Sequence, residues 1–386
     1  MNLKPKFYIL PTIIVSQFFC TSLWFAGNAV IDDLAVQFDV EFNILGYLLS
    51  FVQFGFIAGT LTFALLTLSD RYSPSKIFMI CAFLGSFCNL VLLAPNITVL
   101  NVLTARFGTG FFLAGIYPVG MKIASDYYKG GLGKALGYLV GALVLGTAFP
   151  HFINEFSWSS DYKAVIISTS ILACIGGFCI WAFVADGPYR RPVSKLQLGV
   201  MTQLFTIQSF RKAAFGYFGH MWELYAFWGF VPVILKTYAS IRNIELQTSF
   251  WSFVVIATGT ISCILGGLLS LRTGSRKVAY TSLLLSGIFC LASPLLFLLP
   301  PQWFIVALCI WGMVVISDSP QFSTMIAASA PPELRGTALT ITNSIGFAIT
   351  IVSIQLLSYL LTRIEPTLLY VFLSLGPIIG IYVLRK

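Results

Sequence analysis

Five ionisable side chains stand inside otherwise apolar stretches of this chain: Arg106, His151, His220, Glu223 and Asp318. A charge in such surroundings is expensive and is a functional candidate by default. Glu223 follows His220 by three residues in G-H-M-W-E-L-Y-A-F-W, which puts both on one face of a helix. A carboxylate among aromatic rings suits a proton acceptor, and histidine titrates in the physiological range. Glu223 is therefore expected to lead proton coupling, with His220 as its modulator; the simpler alternative is a hydrogen-bonded pair that never titrates. Asp318 stands in S-D-S-P-Q, where Pro320 removes a helical hydrogen bond and bares carbonyls beside the acid. That arrangement suits cation binding, a pair with Arg106, or a gate. Arg106 keeps its charge at any ordinary pH. Its expected work is to tune a neighbouring carboxylate, bind an anionic solute, or hold helix carbonyls.

The elements that must position these groups are membrane spans. The chain has 386 residues, 58% hydrophobic and 10% charged. A soluble domain carries about 25% charged residues. A spanning helix needs about 20 mostly apolar residues, and such segments recur at roughly 8–31, 43–68, 76–94, 98–121, 134–153, 163–185, 212–235, 247–270, 278–299, 303–327, 338–361 and 366–384. Turn chemistry separates them: Ser73-Pro74, Ala94-Pro95-Asn96, Gly130-Gly131, Asp186-Gly187-Pro188, Pro300-Pro301 and Pro331-Pro332. The first run, Phe7 to Ile31, is too long for a signal core and reads as an uncleaved first helix. All eight cysteines lie in apolar segments without C-x-x-C spacing, so they read as small buried hydrophobes, and neither a disulfide nor a metal site is expected.

Orientation follows from Lys and Arg. With both termini in the cytoplasm, 18 of the 23 basic residues fall on that side, among them Lys4, Lys122, Lys129, Arg191, Lys195 and Lys386. Only Lys163, Lys236, Arg242 and Arg363 fall outside, where the first loop is acidic (Asp32, Asp33, Asp39, Glu41). This is the positive-inside asymmetry of an inner-membrane protein. The net charge of +9 is thus an address for topology, not a nucleic-acid surface. A polar stretch divides the chain into an N-terminal half, residues 1–185, a cytoplasmic linker, 186–211, and a C-terminal half, 212–386.

The halves echo one another. Asp70-Arg71 returns as Leu271-Arg272, 201 residues on; Ile123-Ala124-Ser125 and Gly133-Lys134-Ala135-Leu136 return as Ile326-Ala327-Ala328 and Gly336-Thr337-Ala338-Leu339, 203 residues on. Duplicated halves are a transporter architecture with its site near the midplane. After the second span, residues 66–76 keep Asp70 and Arg71 of the pattern G-x-x-x-D-[RK]-x-G-x-[RK]-[RK], with Leu66 and Ser73 in place of its glycines. After the eighth, Gly267 to Lys277 keeps both glycines, Arg272, Arg276 and Lys277, with Leu271 in place of the acid. In these loops the chain resembles the major facilitator superfamily along its full length. The resemblance implies an all-α polytopic membrane protein with twelve transmembrane helices in two pseudo-symmetric six-helix halves. It also implies a conformational latch at Asp70, Arg71, Arg272 and Arg276, formed and broken as the halves rock.

In that family, helices one, four, seven and ten line the central cavity. The resemblance therefore implies substrate contacts at Trp24, Asn28, Tyr117, Trp222, Tyr225 and Gln321. It likens Arg106, which opens R-F-G-T-G, to a helix-four arginine tied to proton transfer. The antiporter pattern G-x-x-x-G-P-x-x-G-G is kept at Gly137 and Gly141, but Ala142 replaces its proline. Spans two and eight hold no arginine, so a nitrate carrier is not expected. Isolated polar residues do not line a channel, and no nucleotide loop or hydrolase motif is present. The expectation is a cofactor-free, monomeric, proton-linked secondary transporter of a small organic solute or metabolite in membrane lipid. Efflux of drugs, and export or uptake of a secreted metabolite such as a siderophore, are the alternatives; a non-transporting membrane sensor ranks behind them.

Overall fold

A computed structural model describes residues 6–38, 44–95, 97–128, 132–156, 161–190, 199, 201–331 and 334–385. Lys4, Asp39, Glu41, Asn96, Lys129, Gly130, Gly131, Arg191, Lys195, Pro332 and Lys386 lie outside them. Among the described residues, eleven helices are long and apolar enough to cross a membrane, and Ile9–Thr21 is a shorter apolar helix ahead of them. The chain is a multi-pass membrane protein of twelve spans.

Three spans are broken, and the breaks matter for the site. The first span is three helices, Ile9–Thr21, Ala26–Ala29 and Ile31–Phe38, rather than one continuous rod. The fourth is Val99–Leu113 followed by Tyr117–Tyr127, and the tenth is Pro301–Ser317 followed by Ser319–Ser329. Pro118 and Pro320 each stand second in their following helix, where a missing N–H costs least, and they are 202 residues apart. The fourth span runs six residues past its expected end, so Lys122 lies on a helix rather than in a loop. The seventh span is the longest helix, Gln208–Arg242, and outruns its expected limits at both ends.

The chain forms two units. One holds Met1–Ile44 and Phe51–Leu196; the other holds Leu45–Ser50 and Gln197–Lys386. Within the first unit, span one packs on spans five and six, and span three on spans four and six. Within the second, span seven packs on eleven and twelve, and span nine on ten and twelve. Adding six to each span number converts one set into the other.

The repeat extends to single contacts. A Cβ on Gly110 would fall 2.0 Å from the carbonyl oxygen of Val52, and one on Gly312 would fall 2.2 Å from that of Val255. Gly55 and Gly59 of span two lie against the carbonyls of Phe107 and Phe111. At their counterparts in span eight, the Thr258 and Ser262 hydroxyls donate to the carbonyls of Cys309 and Met313, at 3.2 and 2.6 Å. Small residues let membrane helices approach closely, and hydroxyls can bridge the same crossing. At another matched pair, Ser75 donates to the Val184 carbonyl at 2.6 Å and Arg276 donates to that of Leu384. Span five uses its glycines for packing too: Gly146 lies against Thr21 and Phe18 of span one.

Candidate functional site

The second unit gathers three of the five ionisable candidates. His220 and Glu223 occupy one face of span seven, and Asp318 is the single residue between the two helices of span ten. All three are fully buried. The Nδ1 atom of His220 lies 2.8 Å from Oδ1 of Asp318. With 17 residues of span ten before it and 11 after it, the acid sits well inside the span. The break leaves it at the end of one helix and the start of the next.

Glu223 is held from span nine. Its Oε2 accepts from the Ser286 hydroxyl at 2.8 Å and from the Cys290 thiol at 3.4 Å. Its Oε1 has no partner among the described residues. One turn before Ser286, Ser282 shares a 2.5 Å hydrogen bond with Ser317, the residue ahead of Asp318. Ser282, Ser286 and Cys290 thus form a polar stripe at four-residue spacing on an apolar helix. That spacing is present in the sequence but carries no charge to single it out. Cys290, read as a small hydrophobe, is a hydrogen-bond donor to the buried acid.

Arg106 does different work. It is fully buried in the first unit, and its guanidinium spans the break in span one. One terminal nitrogen donates to the Leu23 carbonyl at 3.2 Å and to Asn89 Oδ1 at 3.3 Å, the other to the Trp24 carbonyl at 2.5 Å. Asn89 is fixed in turn by donating to the Ile166 carbonyl, Thr169 and Ser170 of span six. A helix end leaves carbonyls without partners, and a cation is favoured there. Within its own unit Asp318 has His220, and within its own Arg106 has backbone oxygens and Asn89. Of the roles foreseen for Arg106, holding helix carbonyls is the one its geometry performs. His151 is buried near the C-terminal end of span five, and its Nε2 has no partner among the described residues.

At the end of the first unit that carries the signature loop, Asp70 pairs with Lys122 at 3.0 Å, and Lys122 lies 3.8 Å from Asp126. Arg71 is exposed. Arg190 donates to Asp186 at 2.6 Å and to the carbonyls of Asp70 and Tyr72 at 2.8 and 2.7 Å, and Ser73 donates to Asp186 at 2.6 Å. Lys122 and Arg190 are thus the partners that the loop pattern alone did not name. In the second unit Arg272 and Arg276 are exposed.

The remaining candidates divide. Trp24 packs on Phe56 with ring centroids 4.9 Å apart, and Asn28 is buried with neither amide atom partnered. Tyr117 starts the second helix of span four. Tyr225 packs on Trp228 and Phe347, at 5.4 and 5.2 Å. Gln321 is buried one turn beyond Asp318. Trp222 does not join the cluster; its ring lines an apolar groove of about 390 Å³ with Phe218, Ile349, Val352 and Ile379, and Nε1 donates to the Phe372 carbonyl.

Two repeated six-span helical units with an acid–imidazole pair buried in one of them define a membrane transporter. The chain belongs to the Major Facilitator Superfamily, whose model matches residues 13–354. No curated protein sequence matches it. Its fold is similar to that of the human organic anion transporter MFSD10 (TETRAN), with a TM-score of 0.70 and 11% identity, covering 99% of this chain and 100% of that one. It is also similar to a bacterial homolog of the human lysosomal transporter Spinster in an inward-facing, unoccupied conformation, with a TM-score of 0.66 and 14% identity, covering 98% and 94%.

Proposed function

We propose that this chain is a proton-linked carrier of a small organic solute, in which Glu223, His220 and Asp318 hold the coupling proton. The observation that carries the reading is the full burial of two carboxyl groups and an imidazole, which lies against one carboxyl and shares a helix face with the other. Two bare carboxylates beside a neutral imidazole would place two negative charges in hydrocarbon, at a cost of several kcal/mol each. The cluster is neutral when an ionised Asp318 faces a protonated His220 and Glu223 carries a proton. Opening the site to water removes that constraint, and Glu223 can then release its proton. The unpartnered Oε1 is where that proton comes and goes, since Ser286 and Cys290 occupy Oε2.

Substrate contacts fall to the uncharged and aromatic residues: Trp24, Asn28, Tyr117, Tyr225 and Gln321. Arg106 has its two terminal nitrogens on carbonyls and Asn89, which weighs against an anionic substrate at that guanidinium. The basic asymmetry of the loops supports an inner-membrane setting with both termini in the cytoplasm. The lost proline at Ala142 favours no direction of transport.

The test is flux in proteoliposomes under an imposed pH gradient, with substrates first chosen by thermal stabilisation. One coupled proton allows about tenfold accumulation per pH unit. Glu223→Gln is expected to abolish that accumulation while substrate counterflow continues. Flux indifferent to the gradient, with a normal Glu223→Gln, would remove the proton assignment.

A further inference from the structure

We propose that the second unit also binds an anionic phosphoryl group, at the end of its bundle where spans seven, nine, ten and twelve meet. A cavity of about 440 Å³ opens there, lined by Gln208, Ser209, Lys212, Arg276, Ser329 and Met325 among others, with no acid among the described residues of its wall. Lys212 makes no ion pair or hydrogen bond with any described residue. Arg276 donates through one terminal nitrogen to the Leu384 carbonyl, which holds the guanidinium at the cavity wall and leaves its other N–H groups available. The cavity also meets the start of span seven. The leading amides of a helix lack acceptors within it, and the dipole there favours an anion. Two cations, a helix start and the Ser209 and Ser329 hydroxyls make a donor set suited to phosphate oxygens.

The cavity belongs to the second unit alone. By the 201-residue offset, Lys212 corresponds to Pro11 and Arg276 to Ser75, and neither carries charge. The cations are therefore not a by-product of the repeat. All four helix ends belong to the side that carries the basic loops, where a bilayer presents lipid phosphates, and basic pockets between helix ends take such headgroups. Met325 and Leu384 give the cavity an apolar wall suited to the glycerol end of a lipid.

The experiment follows thermal melting of the full chain in neutral detergent as phosphatidylglycerol, phosphatidylcholine or inorganic phosphate is added. Lys212→Gln is the main variant, since that side chain makes no ion pair or hydrogen bond with any described residue and glutamine keeps most of its length. Arg276→Gln is the second, and Arg272→Gln the control. Phosphatidylglycerol is expected to raise the melting point of the parent and of Arg272→Gln. Lys212→Gln should weaken its apparent affinity about fivefold, the weight of one basic residue near an anionic surface. Stabilisation by phosphatidylglycerol without inorganic phosphate identifies a headgroup site. Stabilisation by both, with competition, identifies a site for the free ion as well. Equal stabilisation by phosphatidylcholine, or a Lys212→Gln response indistinguishable from that of the parent, would overturn the proposal.

Discussion

His220 and Asp318 each make the other tolerable. Removing one member of a buried pair strands its partner, and removing both does not. Asp318→Asn and His220→Gln are each expected to cost about 1–3 kcal/mol. The double variant should be less damaged than the two losses added, with a coupling energy of about 1–3 kcal/mol in a double-mutant cycle of thermal melts. An additive double would mean that the 2.8 Å contact carries no energy. The three buried charges were legible in the sequence because charge in an apolar run has no innocent explanation. Ser286 and Cys290 were not, since a hydroxyl or thiol in a span satisfies itself or packs in most positions. Only the fold shows which two turn toward Glu223. The same limit applied to Arg106: its charge stood out, but its partners are main-chain oxygens, and no residue type announces those.

At the scale of elements, the two halves build the same crossing with different chemistry. The first closes spans two and four on glycine; the second closes spans eight and ten on Thr258 and Ser262. Filling a close backbone contact forces helices apart, whereas losing a hydroxyl leaves one interhelical hydrogen bond unmade. Gly110→Ala is therefore expected to cost about 1–3 kcal/mol and Thr258→Ala about 0.6 kcal/mol, measured by denaturant unfolding in mixed micelles. Similar losses for both would mean that the first-half helices yield. Hydropathy located every span. It missed the break in span one, which depends on Arg106 arriving from elsewhere, and the break in span four, although Pro118 stands there as Pro320 does in span ten. The break in span ten was legible, because Pro320 marks it locally. The reach of span four to Tyr127 was missed because Lys122, Ser125 and Asp126 look like loop residues until their ion pairs are seen.

For the whole molecule, the signature loop matters more than its own residues. Asp70, Lys122, Asp126, Asp186 and Arg190 tie the ends of spans two and four to the start of the linker. The second half has no such pair: Leu271 stands at the position of Asp70, and Met325 at that of Lys122, 203 residues on. If this cluster is made and broken during transport, as the latch reading requires, its worth lies in rate rather than stability. Asp70→Asn is expected to slow flux several-fold while changing unfolding free energy by no more than about 1 kcal/mol, since a part-exposed ion pair contributes little. A large loss of stability with normal flux would make the cluster a static fastening. The duplication itself was visible in loop residues a near-constant distance apart. The division of labour between the copies was not, because it rests on which groups each buried side chain meets.

The guanidinium that bridges the break in span one gives that division a measurable consequence. Its partners are carbonyls and an amide, none of which titrates, whereas the second half holds an imidazole against one buried acid with a second on the same helix face. Acid and alkali should therefore leave the Arg106 bridge unmoved while they act on the buried pair of the second half. Hydrogen–deuterium exchange across a pH series, corrected for intrinsic rates, should show protection changing in spans seven, nine and ten. Span three around Asn89 and the Arg106 half of span four should stay silent, while the Asp70–Lys122–Asp126 end of span four answers to its own carboxylates.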